Sequence, residues 1–263
     1  QTRITSAPFA MASTTDACVP LNELQLTDAQ IRNFQQEGFL TARAVFSPSQ
    51  VVSMVAHYMA LRAEGPKPGD SGGTDDQPDD PNHQYPRMIN MHDWDSASDA
   101  WARRQDLLTA VASLLEDTPV LRQTMLYFKP PGSRGQGLHQ DEQYICEDPL
   151  LGLWISLERA DAAVGHMVVV PGSHRHGMLQ VEPADTSVSF TGGQTEMPAG
   201  AVPFGVDLEP GDALFFDGRI IHGSYPNNTT DRWRRSFICH YVGEHGSSFE
   251  PTPGTHMSHL NNA

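Results

Sequence analysis

The chain has 263 residues, 38% of them hydrophobic, and a net charge of −15 at neutral pH. That length can bury one large core or two small ones. The negative balance excludes electrostatic attraction to nucleic acid or to an anionic membrane surface, and no apolar run approaches the roughly 20 residues of a membrane span.

No stretch reads as a signal peptide. Cys18, Cys146 and Cys239 lack metal-ligand spacing, so they are expected to be thiols in a reducing, cytoplasmic setting. The Asn-x-Thr patterns at Asn227 and Asn228 are then expected to be unused.

Residues 1–20 are polar and aperiodic, and Met11 is a candidate native start that would make the preceding residues an expression scar. Thr27-Asp28-Ala29-Gln30 is a capping box opening an amphipathic helix to Glu37, with Gly38 at the C′ position. A short strand is predicted over Phe39–Phe46. Ser47-Pro48-Ser49-Gln50 repeats the start signal, now with proline at the first helical position, and predicts a helix to about Glu64. Residues 65–86 form a long loop rich in Pro, Gly and Asp, a candidate lid. Its Asp75, Asp76, Asp79 and Asp80 lack EF-hand spacing and read as a solvated acidic surface. A third helix is predicted over about Ser98–Glu116.

From Pro119 the pattern changes. Runs rich in Val, Ile, Phe and Tyr recur between Gly and Pro punctuation: 120–129, 151–157, 166–170, 206–208, 213–217 and 236–242. Short strands at this spacing predict a mainly β fold, one sandwich core with a helical N-terminal layer. The expected organisation is one domain over 21–250, with helices over 21–118, the β core over 119–245 and a tail over 251–263.

Chemistry is concentrated at Gly137-Leu138-His139-Gln140-Asp141. On an extended strand, residues i and i+2 share a face, so His139 and Asp141 are expected to aim at one point. They supply two-thirds of the 2-His-1-carboxylate triad that suits non-haem Fe(II) and leaves coordination positions open. The missing ligand is a histidine from a distant strand. His222 is the candidate: it follows a turn, a strand and the apolar pair Ile220-Ile221. The other ten histidines read as surface or satisfied core side chains.

Arg232, Arg234 and Arg235 precede the apolar strand Phe237-Ile238-Cys239-His240-Tyr241. An arginine entering a buried strand needs an anion. A protein carboxylate would serve, and so would a dicarboxylate cosubstrate such as 2-oxoglutarate, which fits the planar fork.

Each signal alone is weak; their order is specific. Leu126-Tyr127-Phe128-Lys129-Pro130-Pro131, Leu138-His139-Gln140-Asp141, Leu153-Trp154-Ile155-Ser156-Leu157, Val169-Val170-Pro171-Gly172-Ser173-His174, Gly211-Asp212, His222-Gly223-Ser224 and Arg234-Arg235-Ser236-Phe237 follow one another. In this the chain resembles the phytanoyl-CoA dioxygenase family of Fe(II)/2-oxoglutarate oxygenases, over about residues 24–242.

The resemblance implies a double-stranded β-helix, the jelly-roll or cupin-like core, with flanking helices. It implies Fe(II) ligands at His139, Asp141 and His222, with 2-oxoglutarate and O2 as cosubstrates. It places the 2-oxoglutarate arginine best on Arg234, with Arg232 and Arg235 as rivals, and puts Ser224, Trp154 and Met125 in the cosubstrate pocket. Gln123 and Tyr127 alternate with Met125 and are expected to line the same pocket; Tyr127, Gln143 and Arg235 are candidates for contact with substrate. Pro171–His174 reads as a structural turn.

The implied activity is oxidation of an unactivated C–H bond of a small-molecule metabolite, with release of succinate and CO2, by a monomer or homodimer. Desaturation and ring closure remain open outcomes. Halogenation is not expected, because Asp141 fills the position a halide would need. The rival readings are a cupin-type metalloenzyme without 2-oxoglutarate and a catalytically silent domain on the same fold. Acidic balance and scarce lysine weigh against a CoA thioester, and the acidic loop suggests a cationic metabolite.

Overall fold

A computed structural model describes residues 24–71 and 81–250. Asp75, Asp76, Asp79 and Asp80, the two tails and Cys18 lie outside the described residues.

Helix α1 (Asp28–Glu37) carries both halves of the Thr27–Gln30 capping box and ends at Gly38 with φ 81°, a left-handed C-cap that costs glycine little. Strand β1 (Phe39–Ala42) follows. It is shorter than predicted because Ala44 takes φ 52° and ends the extended run. Helix α2 (Pro48–Ala63) starts with the second capping box and its N-terminal proline.

The stretch expected to be loop contains a single helical turn, α3 (Pro81–Gln84), and is tied down by a bridge between Ser71 and Arg87 just before strand β2 (Met88–Ile89). The predicted third helix is two, α4 (Ser96–Ala102) and α5 (Gln105–Leu115). Arg104 breaks them by leaving the helical region, at ψ 132°. Its guanidinium bonds the Val45 carbonyl at 3.0 Å and lies over the Phe46 ring. That tertiary anchor outweighs helical periodicity.

The β core comprises β3 (Pro119–Tyr127), β4 (Gln136–His139), the short helix α6 (Glu142–Ile145), β5 (Glu147–Ser156), β6 (Met167–Val169), β7 (Val181–Pro183), β8 (Gly193–Thr195), β9 (Phe204–Val206), β10 (Ala213–Asp217), β11 (His222–Ser224) and β12 (Ser236–Ser248). One sheet has the order β1-β10-β5-β12-β3-β2 and the other β4-β11-β6-β9, with β7-β8 a separate hairpin. All pairings between these strands are antiparallel. This is a jelly roll. The N-terminal segment supplies both edge strands of the larger sheet besides its helices.

The larger sheet is buried on both faces, which is why its strands read as unbroken apolar runs. Leu151, Leu153, Ile155, Ala213, Phe215, Phe237, Cys239 and Tyr241 pack in one cluster with Met54 and Tyr58 of α2 and Leu107 and Val111 of α5. The alternating partners Trp154, Leu214, Phe216 and Ile238 pack in another, with Met167, Val169 and Val206 of the smaller sheet. Gly152 is required between them, because a Cβ there would stand 2.1 Å from the Phe216 ring. No described helix is long and apolar enough to cross a membrane.

Candidate active site

His139 and His222 are direct cross-strand partners on β4 and β11, a pairing that brings side chains of one face together. Their ring centroids stand 4.2 Å apart. Each ring is oriented by its own backbone: His139 Nδ1 lies 2.8 Å from the Gly137 carbonyl, and His222 Nδ1 lies 3.1 Å from that of Ile220. A carbonyl only accepts, so Nδ1 carries the proton and Nε2 keeps the lone pair that can bind a cation.

Asp141 does not lie on the strand with His139, as the two-residue spacing suggested. β4 ends at His139, and Asp141 has helical dihedrals, φ −66° and ψ −29°, at the start of α6. The turn is enforced by Gln140, whose buried amide donates to the carbonyls of Gly177 and Arg219 and accepts from Leu179 N–H. The carboxylate still arrives: Asp141 Oδ1 is 3.4 Å from His139 Nε2 and 3.6 Å from His222 Nε2. All three ligand atoms lie within 4.8 Å of one another, and all three residues are buried.

Charge states match a cation site. Burial pushes the His222 imidazole down to about 4, against the pull of Asp141, so it is neutral. Burial acts to raise the Asp141 carboxyl, but the surrounding His222 and His240 imidazoles hold it well below the usual carboxylate range. A carboxylate oxygen and two imidazole nitrogens are the donor set that divalent iron takes.

The cluster opens into a cavity lined by Gln123, Met125, Tyr127, Trp154, Ser224 and Arg234 among others. Six of the residues singled out beyond the triad are therefore assembled around it. Arg234 is 2% exposed, and its guanidinium lies over Trp154 and donates to the Gly165 carbonyl at 3.1 Å. No described carboxylate pairs with it, and its Nε is buried without a partner. Burial pushes it down to about 10. A buried guanidinium without a protein anion is costly and fits an anion brought by a ligand.

The rival arginines are accounted for differently. Arg232 binds Asp161 at 2.8 Å and Arg235 binds Glu158 at 2.5 Å; neither lines the cavity, so Arg235 is not a pocket residue as expected. Gln143 is also outside it. Its amide donates to the Leu179 carbonyl and accepts from Thr195, which ties α6 to the segment before β7 and to β8. The Pro171–His174 segment is the turn it was expected to be: Ser173 Oγ accepts from Ile221 N–H at 2.8 Å, one residue before His222.

Several residues in or beside the cavity were missed from sequence. His240 Nε2 stands 2.8 Å from Asp141 Oδ2; alternation with Ile238 along β12 could have pointed to it. Buried Lys129 donates to Ser224 Oγ at 3.0 Å and to the carbonyls of Gly165 and Tyr225; a lysine ending an apolar strand was its signal. Arg87 donates to Tyr127 OH at 2.9 Å, Tyr127 OH donates to Gln136 Oε1 at 2.9 Å, and Gln136 Nε2 lies 3.0 Å from His139 Nε2. Nothing in the linear order joins these four. Asp141 is the one acidic side chain among the described residues lining the cavity; the acidic positions Asp75, Asp76, Asp79 and Asp80, from which a cationic metabolite was expected, lie outside the described residues.

Comparison with known proteins agrees with this geometry. The sequence profile of the family described as phytanoyl-CoA dioxygenase (PhyH) matches residues 34–236. The chain belongs to the phytanoyl-CoA dioxygenase family. Among its relatives, the phytanoyl-CoA dioxygenase of Arabidopsis thaliana is 26% identical over 164 residues, 59% of this chain and 56% of the relative. The probable phytanoyl-CoA dioxygenase of Caenorhabditis elegans is 32% identical over 146 residues, 50% and 45% of the two chains. This family member thus spans about half the length of the curated relatives it matches first. Its fold is shared with EctD from S. alaskensis with bound Fe, at a TM-score of 0.68 and 18% identity over 88% of this chain and 81% of that one. It is also shared with the non-heme alpha ketoglutarate dependent carbocyclase SnoK from nogalamycin biosynthesis, at a TM-score of 0.67 and 16% identity over 89% and 91%.

Proposed function

We propose that this chain is a non-haem Fe(II)- and 2-oxoglutarate-dependent oxygenase acting on a small-molecule metabolite. One observation carries the reading: two imidazole Nε2 atoms and one carboxylate oxygen converge in a cavity that also holds Arg234, a buried guanidinium with no described carboxylate partner. His139, Asp141 and His222 would hold the iron. Arg234 would take the far carboxylate of 2-oxoglutarate, with Ser224 beside it.

Iron and 2-oxoglutarate, when bound, supply the oxidising power, using O2 and releasing succinate and CO2 as a substrate C–H bond is oxidised. The protein's own part is orientation and exclusion of water. The Gly137 and Ile220 carbonyls fix both imidazoles in the tautomer that offers Nε2. Ser224 Oγ accepts from Lys129 and from Gln136 N–H, which leaves its own proton free for an anion. Met125, Trp154, Phe216 and Ile238 keep the surroundings apolar, where each remaining charge interaction is strengthened. Hydroxylation of an unactivated C–H bond is the outcome we propose.

The test is succinate formation by the iron-loaded chain with 2-oxoglutarate and O2, followed by product analysis. Iron binding without any consumption of 2-oxoglutarate would support a cupin-type reaction instead. Failure to bind iron would reduce the chain to a silent domain on this fold.

A further inference from the structure

Arg87 lines the same cavity as the triad, and it is not explained by the cosubstrate. The residue enters through a two-way backbone bridge with Ser71: Ser71 N–H donates to the Arg87 carbonyl at 2.8 Å, and Arg87 N–H donates to the Ser71 carbonyl at 3.0 Å. Its guanidinium lies 5.3 Å from the Tyr127 ring centroid and 5.0 Å from that of Phe190. Two aromatic contacts and two hydrogen bonds, to Tyr127 OH at 2.9 Å and Ser71 Oγ at 3.1 Å, hold the plane in place.

A guanidinium has five N–H donors. Two are used by these hydroxyls, so three remain. Arg232 and Arg235 nearby each hold a protein carboxylate; Arg87, like Arg234, has none among the described residues. The chain carries 32 acidic against 17 basic side chains, so an arginine left without an acid at a cavity wall departs from the general pattern. The adjoining wall is apolar, with Ile89, Tyr144 and Ile145.

We propose that Arg87 is a substrate subsite that binds the carboxylate of a small organic acid whose apolar body extends toward the iron ligands. This rests on the oxygenase reading above and adds the substrate class. The planar fork, clamped by aromatic rings, suits the planar carboxylate in a two-point contact better than a tetrahedral phosphate. The Arg87–Tyr127–Gln136 chain of hydrogen bonds runs from the anchored end of the substrate to Gln136, which stands beside His139.

The test uses the full chain loaded with iron and saturating 2-oxoglutarate under anaerobic conditions, so that Arg234 and the metal are already occupied. The probes are 4-phenylbutanoate, 4-phenylbutanamide and 2-phenylethyl phosphate, titrated calorimetrically. The acid is expected to bind roughly tenfold more tightly than its amide, the difference a charge-assisted pair makes. Arg87→Met erases that preference, and Arg87→Lys restores part of it. Equal or absent binding of acid and amide to the unaltered chain overturns the proposal, as does a preference that survives Arg87→Met or tighter binding of the phosphate. The comparison in the unaltered chain decides the matter even if a variant fails to fold. Absence of the iron–2-oxoglutarate charge-transfer absorption before any probe is added signals instead that the oxygenase reading is wrong.

Discussion

His240 Nε2 meets Asp141 Oδ2 at 2.8 Å across 99 residues of chain. The contact ties up one carboxylate oxygen and leaves Oδ1 facing the two imidazoles. Partners of this kind orient metal ligands and raise their affinity. His240→Leu is therefore expected to weaken iron binding roughly 10- to 100-fold, with His240→Gln retaining part of it. Titration with Fe(II) or Co(II) under argon reads the effect without turnover. An unchanged affinity in His240→Leu would show that Asp141 needs no such support.

Removing a ligand should have a larger effect. Asp141→Ala and His222→Ala are expected to abolish stoichiometric iron binding and succinate formation together. Thermal unfolding gives an independent reading, because a ligand that binds only the folded state stabilises it by about 2.7 kcal/mol at a hundred times its Kd. Iron should raise the Tm of the unaltered chain, a chelator should reverse the rise, and neither should move that of Asp141→Ala.

Arg234 and Arg235 are neighbours with opposite expectations. Arg234→Met should raise the KM for 2-oxoglutarate on the order of 100-fold, since hydrogen bonds to a charged group in an apolar site are lost. Arg234→Lys should recover little, lacking the fork. Arg235→Met removes a bond to Glu158 outside the cavity and should leave the KM near that of the unaltered chain while lowering Tm. Equal KM effects from the two would contradict the assignment.

Glu142, next to Asp141, gives a pH signature. Burial raises its carboxyl from the ordinary 4.5 to about 7, more than the Arg219 guanidinium at 2.7 Å can offset. The pair is asymmetric: at Glu142, whose side chain is 1% exposed, burial outweighs the guanidinium, whereas at Arg219, 34% exposed, the acids Glu142 and Asp148 outweigh burial. The folded state then binds a proton that the unfolded state has released, so stability falls as pH rises from about 4.5 to 7. Glu142→Gln should flatten that slope, which urea midpoints across the range would reveal. A slope that persists unchanged belongs to other groups.

Local chemistry made much of the fold readable. Both capping boxes, the C-cap at Gly38, and the order of helices before strands follow from rules within a few residues. The strand runs were legible because both faces of the larger sheet are buried. What was misplaced had tertiary causes. Arg104 broke a helix to reach Val45, and Gln140 bent Asp141 off its strand by bonding carbonyls at 177 and 219.

By itself the sequence determined which atoms were available: two histidines, one aspartate and a run of arginines in an order few folds share. It could not say which arginine lacks a carboxylate, because Arg232, Arg234 and Arg235 are chemically identical until Asp161 and Glu158 come to meet two of them. Nor could it supply His240 or the path from Arg87 to Gln136. Those depend on antiparallel register and on burial, which convert distant side chains into neighbours and decide which polar groups are left waiting for a ligand.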